Sequence, residues 1–296
     1  MKTFHTVFLA GLLLAAAPAL AAKSVDITHR VNANGTVQIE NIAGSVKIVG
    51  WNQNSVHVTG TLADPAQHMQ VSGDQDNLDI KVIYPNTHNN HASADLVVQV
   101  PQGAGVQVDA VSADVSASGV GGSQQLKSVS GNITVESSAA DIEAQTVSGN
   151  VEVKGSAKGA HVDMSTVSGS AHASGIAGEL NGQTVSGNVS VDNSQLQRAK
   201  LNATSGRAQF DSPIEAGGHY KFSTVSGRIT LNLPRQPDAE FNLTTFSGSI
   251  DNNFGPKPRK VSEYTPSLQL NFTSGKGGAY VEASSMTGEI VLKAGS

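Results

Sequence analysis

The chain has no cysteine in its 296 residues. That excludes a disulfide framework, a thiol nucleophile and thiolate metal ligands. It also excludes a lipid-bearing cysteine behind an export signal. Charge is sparse, with Asp, Glu, Lys and Arg at 15% of the residues and a formal net of −5. A basic stripe suited to nucleic acid is absent, as is a polybasic segment for anionic lipid. No stretch beyond the N-terminus holds a 3.6-residue apolar period, and none reaches about 18 consecutive apolar residues, so no membrane span is expected there.

What is present begins with an export signal. Lys2 supplies a positive start, Val7 to Leu14 an apolar core, and Ala19 and Ala21 the small residues before a cleavage point placed after Ala21. Residues 1–21 are read as the signal peptide. Removing them takes away Lys2 and no acid, which leaves 18 basic against 24 acidic side chains, a net of −6. That is ordinary solubility charge.

The rest is dominated by a repeat. Val129-Ser130-Gly131-Asn132 recurs at Val147, Val167 and Val185, with looser copies at Thr204, Val225, Phe246 and Met286 and a degenerate one at Val111. Successive steps from Val111 are 18, 18, 20, 18, 19, 21, 21 and 40 residues, the last being two periods. A unit this short cannot bury its own apolar face and must stack on its neighbours. The fold class expected is all-β, a single-stranded β-solenoid with coils of about 18–21 residues.

Within Val147-Ser148-Gly149-Asn150-Val151-Glu152-Val153-Lys154, alternation places Val151 and Val153 inward and Glu152 and Lys154 outward. Val147 is assigned to the inward set. The valines should form an internal ladder about 4.8 Å per step, and Ser, Thr and Asn external or corner ladders. Two or three short strands per coil are expected. One domain is expected over 22–296. Residues 22–103 would form irregular coils capping the N-terminal end, 104–251 the regular repeats, 252–266 a Pro-rich loop that accounts for the doubled step, and 267–296 the final coils.

Little in the chain suggests chemistry. No G-x-S-x-G elbow lies in a strand-to-helix context, and the repeated serines are equivalent where a nucleophile should be singular. His88 and His91 make a two-imidazole pair without a third ligand nearby. Thr273-Ser274-Gly275-Lys276-Gly277-Gly278 lacks the first glycine of a phosphate loop and precedes a strand. Asp109, Asp114, Asp141, Glu143, Glu152 and Asp163 spread over several coils, and Glu143 and Asp163, 20 residues apart, can align.

The order of these features resembles the bacterial DUF4097 family, whose members carry the adhesin name. The resemblance rests on Ile48-Val49-Gly50-Trp51-Asn52, the alternating Ser55-Val56-His57-Val58, the Ser130-Gly131-Asn132-Ile133 copies and Thr230-Leu231-Asn232-Leu233-Pro234. It implies a β-solenoid in the cell envelope and no catalytic set. The function expected is that of a non-enzymatic exported protein. It would bind or scaffold through a repetitive polar β surface in the periplasm, or alternatively once secreted or at the cell surface, with a glycan or another envelope protein as partner. No catalytic, cofactor or metal residues, no cofactor and no nucleic acid are expected. The rivals are a carbohydrate-active β-helix enzyme, marked by three or more acids converging in one groove, and a regulatory envelope-stress sensor.

Overall fold

A computed structural model describes residues 22–64, 67–84, 92–136, 138–139 and 141–295. The signal segment and the His88–His91 pair lie outside them. The described residues contain no helix, and their strands join into one hydrogen-bonded sheet wound on itself. Each turn holds two strand segments that meet at a Ser-Gly corner. Asp141–Ser148 and Val151–Lys154 make one turn, Ala160–Ser168 and Ala171–Ser174 the next. In Ala177–Asp192, Gln195–Asp211, His219–Leu233 and Tyr280–Ala294 a single strand runs through the corner.

Neighbouring turns pair in parallel, like residue over like. Glu143 lies between Gln125 and Asp163, and Val151 between Ile133 and Ala171. Inward residues of both segments, such as Ile142, Ala144, Val151 and Val153, are buried and form a continuous core along the stack. Phe210, Tyr220 and Phe222 fill it in the later turns, where Tyr220 and Phe222 each pack against Phe210. The Tyr220 hydroxyl donates to the Leu196 carbonyl at 2.5 Å and accepts from the Glu215 N–H at 2.9 Å. Burial pushes its pKa up to about 12.

The corner explains the repeated motif residue by residue. In the turns of Val147 and Val167 the residue before the valine is buried, and its hydroxyl donates to the glycine carbonyl of the preceding turn, Thr146 to Gly131 at 3.0 Å and Thr166 to Gly149 at 3.0 Å. The glycine is needed for space. A Cβ on Gly149, Gly169, Gly187, Gly206 or Gly227 would sit well under 3.0 Å from the glycine carbonyl oxygen of the turn beside it. The Asn side chain then accepts the N–H of its counterpart one turn on, Asn132 Oδ1 from Asn150 at 3.0 Å and Asn150 Oδ1 from Ser170 at 2.9 Å. Short polar side chains thus satisfy the corner's backbone donors.

Two expectations need correction here. Val147 is not inside the stack: it is 45% exposed, whereas Val151 is 1% exposed. The Thr position, expected outside, takes the inward place. Val147 and Ser148 both face solvent at the corner, so the strand alternation shifts by one residue there. Accordingly, Val151→Asp buries an unpaired charge and should lose several kcal/mol, on the order of 3. Val147→Asp should stay within about 0.5 kcal/mol. Thermal melts of the two variants check the assignment, and equal losses would refute it.

The second correction concerns the order of turns. Tyr280–Ala294 does not follow the coil of Phe246. It inserts between His219–Leu233 on one side and Ala239–Thr245 with Ser249–Asn252 on the other. The far end has a matching arrangement. Thr36–Trp51 lies between Gly105–Ser118 and the later strands Asn77–Ile83 and Ala94–Pro101. Both ends then close with antiparallel strands, Leu268–Ser274 on Ala239–Thr245 at one and His68–Gly73 on Asn77–Ile83 at the other. Such closure protects open sheet edges from pairing with other chains.

Candidate functional site

The first segments of the turns stack into a broad ladder face. Its outward rows can be read in spatial order from the strand registers. One row runs Gln38, Gln107, Gln125, Glu143, Asp163, and continues Asn181, Lys200, Lys221, Glu282, Asn242. Two residues along each strand the row is uncharged from Gln145 onward, through Ser165, Gln183, Asn202, Ser223, Ser284 and Thr244. Two residues further comes the valine of the motif.

That last row is the unexpected one. Ile42, Val111, Val129, Val147, Val167, Val185, Val225, Met286 and Phe246 are 45–58% exposed. Only Thr204 interrupts them. Beside them runs a hydroxyl row, with Ser148, Ser168, Ser186, Ser205 and Ser226 all exposed. At about 4.8 Å per turn, ten turns carry this apolar ridge about 43 Å along the molecule. Scattered exposed apolar residues are normal, but a continuous strip of them marks an interaction surface. Strand propensity does not account for it, because the outward rows beside it are polar. The sequence concealed it because the same valines read as core until the corner shifts the alternation.

At one end of this face a groove of about 420 Å³ is lined by Gln107, Gln125, Asp141, Glu143, His161 and Asp163, among others. Three acids therefore share one groove, as the rival enzyme reading requires. Two of them are already engaged by neighbouring amides. Glu143 takes Gln125 Nε2 on one oxygen and Gln145 Nε2 on the other, both at 2.7 Å, with Lys127 Nζ at 3.6 Å. Asp163 accepts from Asn181 Nδ2 at 3.0 Å. Glu143 and Asp163 stand side by side on adjacent turns. Among the described residues no group of three or more His, Cys, Asp or Glu side chains could hold a metal ion.

Titratable groups elsewhere serve the framework. Trp51 stacks on His57 with ring centroids 6.1 Å apart and donates its indole N–H to the Ser55 carbonyl at 2.7 Å. Hydrogen bonds with Asp26 and Gln99 hold the His57 ring above its usual pKa. Asp238 accepts the backbone N–H of Gly278 at 3.1 Å and of Lys276 at 2.6 Å, which holds its carboxyl below the usual range. That carboxylate ties down the 275–278 turn that feeds the inserted last coil.

Comparison with known proteins is consistent with the winding and adds little on chemistry. The Toastrack DUF4097 profile matches residues 20–293. No curated protein matches the chain. Among solved structures, a candidate adhesin from Bacteroides fragilis is similar at 10% identity and a TM-score of 0.49, over 92% of this chain and 98% of that one. A candidate adhesin from Parabacteroides merdae gives 11% and 0.41, over 91% and 96%. A candidate lipid-binding protein from Parabacteroides distasonis gives 11% and 0.39, also over 91% and 96%. Among the described residues no helix is long and apolar enough to cross a membrane.

Proposed function

The chain belongs to the Toastrack DUF4097 family, and from that premise we propose that it is an exported, non-enzymatic envelope protein that binds or scaffolds through its ladder face. Residues 1–21 direct export, cleavage follows Ala21, and the mature protein stays in the periplasm as one solenoid with irregular end coils. The observation that carries the reading is the apolar ridge between uncharged hydroxyl and amide rows, repeated turn after turn. Each turn offers the same small set of contacts. Affinity therefore accumulates along the stack and no single residue is indispensable.

The partner is an extended or flat surface, an envelope protein or a glycan, since the face is long and offers the same contacts turn after turn. Excision of Val167–Thr184 joins Thr166, the equivalent of Thr184, to Val185, which recreates the corner, and should give a folded chain one turn shorter. Binding to envelope extracts should fall by about tenfold on excision of two such turns, and by less than about twofold for Glu143→Gln or Asp163→Asn. Pull-down with quantified recovery separates these cases. Loss of a measured activity through either point substitution alone, with an unchanged circular dichroism spectrum, would assign the protein to the carbohydrate-active class instead.

A further inference from the structure

The ladder face carries a two-fold charge pattern that coil stacking does not require. The turn holding Asn181 and Val185 is the middle one of the nine between Val111 and Phe246 in spatial order. Asp163 and Glu143 lie one and two turns to one side of it, and Lys200 and Lys221 one and two turns to the other, all in the same row. We infer that the ladder face is the interface of an antiparallel homodimer, with its two-fold axis lying in the face along the Asn181–Val185 turn. The inference rests on the ladder face being the binding surface and names its occupant, a second copy of this chain.

A half-turn about that axis reverses the order of turns and returns each row to itself. It sets Asp163 against the partner's Lys200 and Glu143 against the partner's Lys221, each twice by symmetry. The same operation lays ridge on ridge. Val185 meets the partner's Val185, Val147 meets the partner's Val225, and Val111 meets the partner's Phe246. The acidic groove at one end receives lysines from the other end of the second copy. A two-fold contact of this kind is self-complementary by construction.

Charge and area agree with it. Lys200 has no carboxylate within 4.0 Å among the described residues, and Asp163 has no cation. Within one chain the two are two turns apart, about 10 Å, near the screening length of physiological salt. Asp163 and Lys200 thus lack an ion pair in a single copy and gain one across the axis, whereas Lys221 and Glu143 already pair with Glu282 at 3.2 Å and Lys127 at 3.6 Å in their own chain. Nine turns by five residues of strand span roughly 40 by 17 Å, or about 700 Å² per copy. A standard interface takes about 800 Å² per partner. The row through Gln145, Gln183 and Ser223 is uncharged over seven of the nine turns, as interface cores are, with Asp109 and Lys127 at its end.

The test is sedimentation of the protein recovered from a periplasmic extract, over a wide dilution series. The unaltered chain should reversibly dimerise. Asp163→Lys or Lys200→Asp alone should weaken dimerisation by about tenfold or more, by placing like charges across the axis. The double variant Asp163→Lys with Lys200→Asp should restore it to within about threefold of the original. Val147→Lys with Val185→Lys should leave a folded monomer with an unchanged circular dichroism spectrum, whose melting no longer depends on protein concentration. A chain monomeric throughout the series, or a double variant as weak as the two single losses combined, would overturn the homodimer. If that monomer still binds a polysaccharide or another envelope protein through the ridge, the binding role stands and only the second copy is excluded.

Discussion

Gly227→Ala should destabilise the stack by about 3 kcal/mol or more, a large loss for the addition of one methyl group. The added Cβ would sit well under 3.0 Å from the backbone carbonyl oxygen of Gly206. No rotamer relieves that contact, because both atoms are fixed by the backbone. The two turns would have to part, and parting them loosens the ladder bonds on either side of Arg207 and Arg228, which lie opposite each other. Gly121→Ala is the control. Its Cβ would meet only the Gln102 carbonyl oxygen, at the ordinary separation of 3.4 Å, so its stability should stay within about 0.5 kcal/mol. Urea titration of the two variants decides the matter. Equal midpoints would mean that the corner glycines are tolerated for some reason other than space.

The repeat made the winding legible, because a unit of this size has no other way to bury Val151 and Val153. The reason for its composition was legible only in part. Glycine and short polar residues at a corner follow from turn chemistry, and the Asn ladder bears that out in detail. The direction of Val147 was not legible. A period of two fixes every residue once one is fixed, but only while the strand is straight, and the corner spends one residue with both Val147 and Ser148 outside. The candidate surface was hidden by that same shift, since it consists of the valines that alternation assigns to the core. The charge pattern in Glu143, Asp163, Lys200 and Lys221 was hidden for another reason. These residues are distant in sequence and become one row only through the register.

The order of the final turns was illegible on different grounds. All copies of the motif present the same corner, so any copy can stack on any other, and chain order is merely the simplest choice. Insertion of the last coil has a measurable consequence. Ending the chain at Gly278 should lower stability as much as ending it at Leu233. Tyr280–Ala294 bridges the stack and its closing strands, pairing with His219–Leu233 on one side and with Ala239–Thr245 and Ser249–Asn252 on the other. It buries Val281, Ile290 and Leu292, each worth about 1.5–3 kcal/mol. Without it, Ala239–Thr245 keeps only Leu268–Ser274 to pair with and the two lose their link to the stack, so removing residues 234–278 as well should change little. In a stack built in chain order the Gly278 chain would lose only its end coil and keep a midpoint well above the Leu233 chain. Denaturation midpoints of the full chain and the two shortened ones distinguish the cases. A Gly278 chain nearly as stable as the full one would show that Ala239–Asn252 drops into the vacated place against His219–Leu233, and that insertion of the last coil is a choice between two stackings of nearly equal energy.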